Sequence, residues 1–212
     1  CINTVYKVQM EGLMRLKAMA KINLGLDVLG KREDGYHEVR MIMQTIRMYD
    51  ILDIRKTRRP GIVLTTNLPF IPTDQRNLVY KAAQMLMEEF DVEEGLSIKL
   101  RKFIPVAAGM AGGSSDAAAA FVGVNRMFHL GLTEEQLMER AVKVGADVPY
   151  CIMRGTALAE GIGEKLTRLP EVPKCYVLIG KPGINVSTKT AYENLNLEGI
   201  GKHPDIDGLI GA

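Results

Sequence analysis

Between Pro105 and Ala120 the chain reads Pro-Val-Ala-Ala-Gly-Met-Ala-Gly-Gly-Ser-Ser-Asp-Ala-Ala-Ala-Ala, its densest concentration of chemically suggestive residues. Gly109, Gly112 and Gly113 allow tight turns and close approach of a ligand to the backbone, and Ser114, Ser115 and Asp116 can start the alanine-rich helix behind them. The first turn of a helix has N–H groups without internal partners and carries the positive end of the dipole, so phosphate is the natural guest of such a loop. The same residues fit a plain glycine turn before a close-packed alanine helix equally well. Two familiar phosphate loops are excluded. Gly30-Lys31, Gly180-Lys181 and Gly201-Lys202 are followed by Arg, Pro and His rather than Ser or Thr, so none is a Walker-type loop. Gly109, Gly112 and Gly113 also lack the dinucleotide-binding spacing, and no acidic residue follows at the distance that fingerprint requires.

Other residues suited to chemistry are scattered. Asp147 lies between Gly145 and Pro149, where a carboxylate can be held rigidly, although an Asp there also fits a simple turn cap. Lys21 sits inside an alternating strand, where the plain reading is an outward-facing lysine. Tyr36 and Tyr192 offer flat apolar faces and His37 a hydrogen-bonding edge, and all three could serve ordinary packing.

The elements that must position these residues follow from periodicity. Alternating Ile22, Leu24, Leu26 and Val28 predict a half-buried strand ended by the polar turn Lys31 to Gly35, and further strands are expected over Glu38 to Ile46, Ile51 to Lys56 and Leu96 to Phe103. Leu78 to Phe90 has the apolar repeat of a helix, and Thr133-Glu134-Glu135-Gln136 is a capping box opening a helix that ends near Gly145. Tyr150 to Ala159 and Lys174 to Ile179 read as strands, and Ser187 as the cap of a short helix holding Tyr192 and Leu195. Strands and helices without strict alternation favour an α+β fold over a doubly wound sheet.

Taken together, these segments resemble the GHMP kinases, the superfamily of galacto-, homoserine, mevalonate and phosphomevalonate kinases. Pro105 to Ala120 is similar to that superfamily's glycine-rich motif. Ala20-Lys21-Ile22-Asn23-Leu24 with Gly35-Tyr36-His37-Glu38, then Gly145-Ala146-Asp147-Val148-Pro149, then Lys181-Pro182-Gly183 with Val186-Ser187-Thr188 and Tyr192, resemble one branch of it in order and spacing. The similarity runs from about Met14 to the last residue. It implies a two-domain fold, with residues 1–173 forming a ribosomal-protein-like ATP-binding domain and residues 174–212 opening a ferredoxin-like domain left incomplete.

The resemblance also implies an activity: ATP-dependent phosphorylation of the 2-hydroxyl of 4-diphosphocytidyl-2-C-methyl-D-erythritol in isoprenoid precursor synthesis. Asp147 would be the base, and Lys21 its partner, stabilising charge on the transferring group. Pro105, Ala107, Gly109, Ala111, Gly112, Gly113, Ser114 and Ser115 would bind ATP, with Asn77 near the adenine. Mg2+ would bridge the phosphates, with Ser115 or Asp116 as candidate ligands. Asn23 and Thr188 would lie near the diphosphate and erythritol portions of the acceptor, and Tyr36 and Tyr192 on either side of its cytosine, with His37 at the edge. A kinase for another small alcohol, and an inactive nucleotide- or RNA-binding module on the same fold, remain the alternatives.

Bulk properties are those of an ordinary globular protein: 212 residues, 47% hydrophobic, 25% charged, net charge +2. So small a charge, and a basic cluster at Arg55 to Arg59 without interleaved aromatics, argue against a nucleic-acid partner. Cys1, Cys151 and Cys175 are odd in number and lack metal-ligand spacing, which fits reduced thiols in the cytoplasm. No apolar run approaches the roughly 20 residues of a membrane span. Residues 1–9 precede the region of resemblance and read as an incidental leader, and the chain is expected to stop short of the family's full length.

Overall fold

The computed structural model describes residues 12–183, 188–197, 199 and 201–211. Its centre is β2 (His37–Thr57), a 21-residue strand paired along one edge with β1 (Leu13–Lys31). The opposite edge of β2 is shared by two partners. β5 (Thr156–Gly161) pairs with Val39 to Gln44, and β4 (Gly95–Arg101) pairs with Ile51 to Thr57, both antiparallel. β3 (Ile62–Thr66) lies parallel to β4, and β6 (Lys165–Arg168) closes the other end on β5. The result is a mixed six-stranded sheet with helices packed against it, an α+β architecture.

The helices are α1 (Leu78–Glu89), α2 (Gly112–Met127), α3 (Glu134–Ala141), α4 (Val148–Met153), α5 (Thr188–Glu193) and α6 (Ile206–Gly211). α1 starts where Asn77 accepts the Val79 N–H, and α3 starts in the capping box expected at Thr133 and Gln136. Val79, Ala82, Ala83 and Leu86 form the buried stripe of α1, as the apolar repeat required.

Three expectations are corrected. Glu38 to Ile46 and Ile51 to Lys56 are not two strands but parts of one, because the chain runs on through an irregularity at residues 46–48 and pairs with β1 again at Tyr49 and Asp50. Tyr150 to Ala159 is not one strand. Pro149 at the start of α4 suits a helix, and Val148 to Met153 is a buried helical turn that breaks at Arg154 (φ 59°) and Gly155 (φ 86°) before β5 begins. Lys174 to Ile179 forms no strand, with Tyr176 and Leu178 almost fully exposed. Ser187 lies outside the described residues.

α2 packs directly on β1 and β2. Its buried face is Ser115 to Phe121 with Gly123 and Val124, so nearly all of the contact is made by small side chains. A Cβ at Gly123 would stand 2.8 Å from Leu16 Cδ1 and closer still to Ile54 Cδ1, which is why glycine is required there. Gly123→Val should destabilise the fold by about 1–3 kcal/mol through overpacking, read as a lower urea midpoint at unchanged slope.

Candidate active site

Four elements converge at the N-terminus of α2. β4 ends at Arg101, and the loop that follows, residues 102–111, turns back to open α2 at Gly112. The carbonyl of Met110 in this loop accepts the Lys21 N–H at 3.2 Å, which fastens the loop to β1. β1 slips register between Met19 and Lys21, a bulge of the kind that re-aims a side chain, and Lys21 is only 5% exposed. Its ammonium donates to Asn23 Oδ1 at 3.0 Å and lies 4.0 Å from Asp147 Oδ2.

Asp147 occupies the N-cap of α4, and its backbone carbonyl accepts the Cys151 N–H. An aspartate at an N-cap ordinarily commits its carboxylate to the cap. Here the side chain makes no capping hydrogen bond and stays one-third exposed beside the lysine. The plain turn-cap reading therefore fails, and the carboxylate is available to accept a proton.

The loop carries its strain at alanines rather than glycines. Ala107 (φ 54°) and Ala111 (φ 53°) both adopt the left-handed conformation, as does Gly109 (φ 69°), at a cost of about 1–2 kcal/mol for each alanine. Gly112 and Gly113, expected to supply the turn, are already helical. Gly112 is needed for space, since a Cβ would stand 3.2 Å from Ile104 Cγ2 and from Lys102 Nζ, whereas at Gly113 the nearest atom is 3.7 Å away. By helix geometry the N–H groups of Gly112, Gly113 and Ser114 have no partner within α2. Pro105, Ala107 and Gly109 are exposed, and Ser114 is half-buried.

The other expected positions are distributed as follows. The hydroxyl of Ser115 is buried and donates to the Met19 carbonyl at 2.6 Å, so it faces the sheet rather than the loop. Asp116 is buried too, with its Oδ2 held by the Lys102 ammonium at 2.6 Å, so it is not aimed at a metal. Asn77 engages both ends of its amide in starting α1, donating to the Pro72 carbonyl at 2.7 Å and accepting the Val79 N–H at 2.9 Å. His37 lies on Tyr192, with ring centroids 4.9 Å apart and planes 26° from parallel, while Tyr36 is 59% exposed in the turn before β2. Burial, and secondarily the Asp147 charge, raise the Tyr192 hydroxyl pKa. Asn23 is exposed on β1. Thr188 begins α5, and its side chain lies outside the described residues.

Sequence reasoning missed the charges beneath the loop. Asp50, fully buried, accepts the N–H groups of Phe103 at 2.5 Å and Ile104 at 2.8 Å and pairs with Lys102, which also holds Asp116. Burial pushes the Asp116 carboxyl well above the usual range; Lys102 opposes this and Asp50 adds to it. Its Oδ1 has no hydrogen-bond partner among the described residues.

This geometry defines a class of protein, a kinase of the GHMP type. The GHMP kinase N-terminal domain model matches residues 77–155, the segment holding α1, the loop, α2 and Asp147. The 4-diphosphocytidyl-2-C-methyl-D-erythritol kinase of Lachnospira eligens is 57% identical over 199 residues, covering 94% of this chain and 69% of that protein. The enzyme of the same name from Caldicellulosiruptor bescii is 54% identical, with 94% and 70% covered. A crystal structure of 4-(cytidine 5'-diphospho)-2C-methyl-D-erythritol kinase superposes with a TM-score of 0.75 at 31% identity, covering 94% of this chain and 70% of that one. A homoserine kinase from Cytophaga hutchinsonii shares the fold, with a TM-score of 0.67 at 18% identity over 91% of this chain. The chain belongs to the 4-diphosphocytidyl-2-C-methyl-D-erythritol kinase family.

A raised Asp116 pKa has a definite sign in stability. The folded chain binds a proton that the unfolded chain releases above about pH 4, so this group makes stability fall as pH rises from there to its folded pKa. Asp116→Asn should flatten that decline, checked by urea unfolding at pH 5 and pH 8. An unchanged slope would show that Asp116 is ionised when folded.

Proposed function

We propose that this chain transfers the γ-phosphoryl group of ATP to the 2-hydroxyl of 4-diphosphocytidyl-2-C-methyl-D-erythritol. One observation carries the reading: an uncapped carboxylate, Asp147, stands 4.0 Å from the buried ammonium of Lys21, next to the open N-terminus of α2. Phosphoryl transfer to an alcohol asks for positioned charge and one proton acceptor, and this arrangement supplies both. The N–H groups of Gly112, Gly113 and Ser114, with the α2 dipole, receive the phosphates; Pro105, Ala107, Gly109 and Ala111 shape the loop around them. Asp147 accepts the hydroxyl proton as the oxygen attacks phosphorus. Lys21 offsets the charge that develops on the phosphoryl oxygens, and Asn23 fixes the direction of its ammonium.

The acceptor base lies against Tyr192 and His37. Its cytosine displaces one ring of the existing stack or adds to it, and Tyr36 closes from the exposed turn. Thr188 and Asn23 lie towards the diphosphate and erythritol. Ser115 and Asp116 do not fit a metal, and among the described residues no cluster of three His, Cys, Asp or Glu side chains could cage one. Mg2+ therefore enters as part of the substrate, MgATP, with its remaining coordination filled by water. Residues 1–173 act as the ATP-binding domain and residues 174–212 as the start of a second, ferredoxin-like domain. No helix of the described residues is long and apolar enough to cross a membrane, and the reduced-thiol reading of the sequence supports a cytoplasmic location.

ADP release with cytidyl-methylerythritol, mevalonate, homoserine and galactose as acceptors tests the assignment. Turnover confined to the cytidyl substrate is expected; turnover with mevalonate alone would overturn it. Tyr192→Ala should raise KM for the cytidyl acceptor roughly 5- to 100-fold and leave KM for ATP unchanged, in line with the worth of a base stack. Gly113→Ala should leave stability unchanged or raise it by up to about 1 kcal/mol, since the site is helical and has room. A weakened ATP affinity in that stable variant would locate the phosphates against Gly113 itself.

A further inference from the structure

We propose that Asp50, with Lys102, Asn67 and Asp116, forms a clamp that positions the phosphate loop for its nucleotide. The proposal rests on the kinase reading of that loop. β4 stops pairing with β2 at Ile51 and Arg101, so Asp50 and Lys102 stand one step past the last rung of the ladder. Phe103 and Ile104 consequently have N–H groups that no strand can receive. Asp50 Oδ1 receives both, at 2.5 Å and 2.8 Å, and its Oδ2 receives the Lys102 ammonium. Asn67 holds the same point from the other side: its Oδ1 accepts the Lys102 N–H at 2.8 Å and its Nδ2 donates to the Lys102 carbonyl at 3.1 Å. Three consecutive residues entering the loop are thus fixed by the side chains of Asp50 in β2 and of Asn67 just after β3.

The ammonium itself reaches the far end of the loop. A Cβ on Gly112 would stand 3.2 Å from Lys102 Nζ, and Asp116 on the next turn of α2 holds the same nitrogen at 2.6 Å. Lys102 therefore bridges the entry of the loop and the helix that ends it. A cation beneath a helix N-terminus opposes the dipole, and buried ion pairs often give no more stability than apolar residues of the same size. The neighbouring layers of these strands are filled by Leu52, Ile54, Ile98 and Leu100, so an apolar pair was available to the fold. What an apolar pair cannot do is fix the direction of two main-chain N–H groups and a helix terminus together. The clamp residues touch no reacting atom; they act through the loop.

The test measures ADP affinity by calorimetry on the full chain, which needs no acceptor and so separates this proposal from the choice of substrate. Asp50→Asn keeps the shape but removes the charge. It should weaken ADP binding roughly ten- to a hundredfold, the range for neutralising a charged hydrogen-bond acceptor, and raise KM for ATP without changing KM for the acceptor. Asp116→Asn, at the helix end of the same clamp, should weaken ADP binding several-fold. Should Asp50→Asn fail to fold, Asn67→Ala at the partly exposed end of the clamp takes its place, with ADP binding weakened several-fold. A folded Asp50→Asn or Asn67→Ala protein that binds ADP as the wild type does overturns the clamp. So does an equal rise in KM for both substrates. Failure of the wild-type chain to bind ADP would overturn the kinase reading and the clamp together.

Discussion

The seating of α2 on the sheet is the contact on which the site depends. Ala117 to Ala120 and Gly123 offer almost no side-chain volume, so the helix axis comes close to β1 and β2 and has little freedom to slide or roll. That close contact settles where the N-terminus of α2 ends, and with it the direction of the N–H groups of Gly112 to Ser114. It also brings α2 within reach of β1, where the Ser115 hydroxyl bonds to the Met19 carbonyl just before the bulge that presents Lys21. Helix, strand and lysine are one mechanical unit.

Around that unit the structure concentrates charge in two layers. The outer layer is the pair of Lys21 and Asp147, open enough to meet a substrate. The inner layer is the triad of Asp50, Lys102 and Asp116, closed to solvent. The two layers are joined through the loop, since Met110 is bonded to Lys21 and Phe103 and Ile104 are bonded to Asp50. Strain in the loop, at Ala107 and Ala111, is held by these attachments at both ends. A phosphate arriving at α2 would meet a surface already in place, and this preorganisation is what electrostatic catalysis requires.

Part of this was legible in the residues. Helix α1 and the start of α3 followed from apolar spacing and a capping box, because those signals are local. The juxtaposition of Lys21, Asp147 and the glycine-rich loop came only through resemblance, since no local rule joins positions so far apart in sequence. The burial of Ser115 and Asp116 was not legible, because sequence shows that a helix begins near them, not which side of its first turn meets the sheet. Gly112 and Gly113 were misjudged for a related reason: the turn is made one residue earlier, at Ala111, where composition gives no sign of a left-handed backbone. Asp50 and Lys102 did leave a trace. They continue the buried alternation of Leu52 and Ile54, and of Leu96, Ile98 and Leu100, so a strand-by-strand reading would have found charges at core positions. The Tyr150 error arose because a short apolar run suits a buried helix as well as a strand.

The central claim is that Asp147, freed from capping and set beside Lys21, accepts the proton of the reacting hydroxyl. Single-turnover kinetics of Asp147→Asn, with MgATP and the cytidyl acceptor both saturating, address it most directly. The amide preserves packing but cannot take the proton, so the rate of phosphoryl transfer should fall roughly 10²- to 10⁴-fold while both substrates still bind. A transfer rate near that of the wild type, in a variant shown to be folded, would contradict the account.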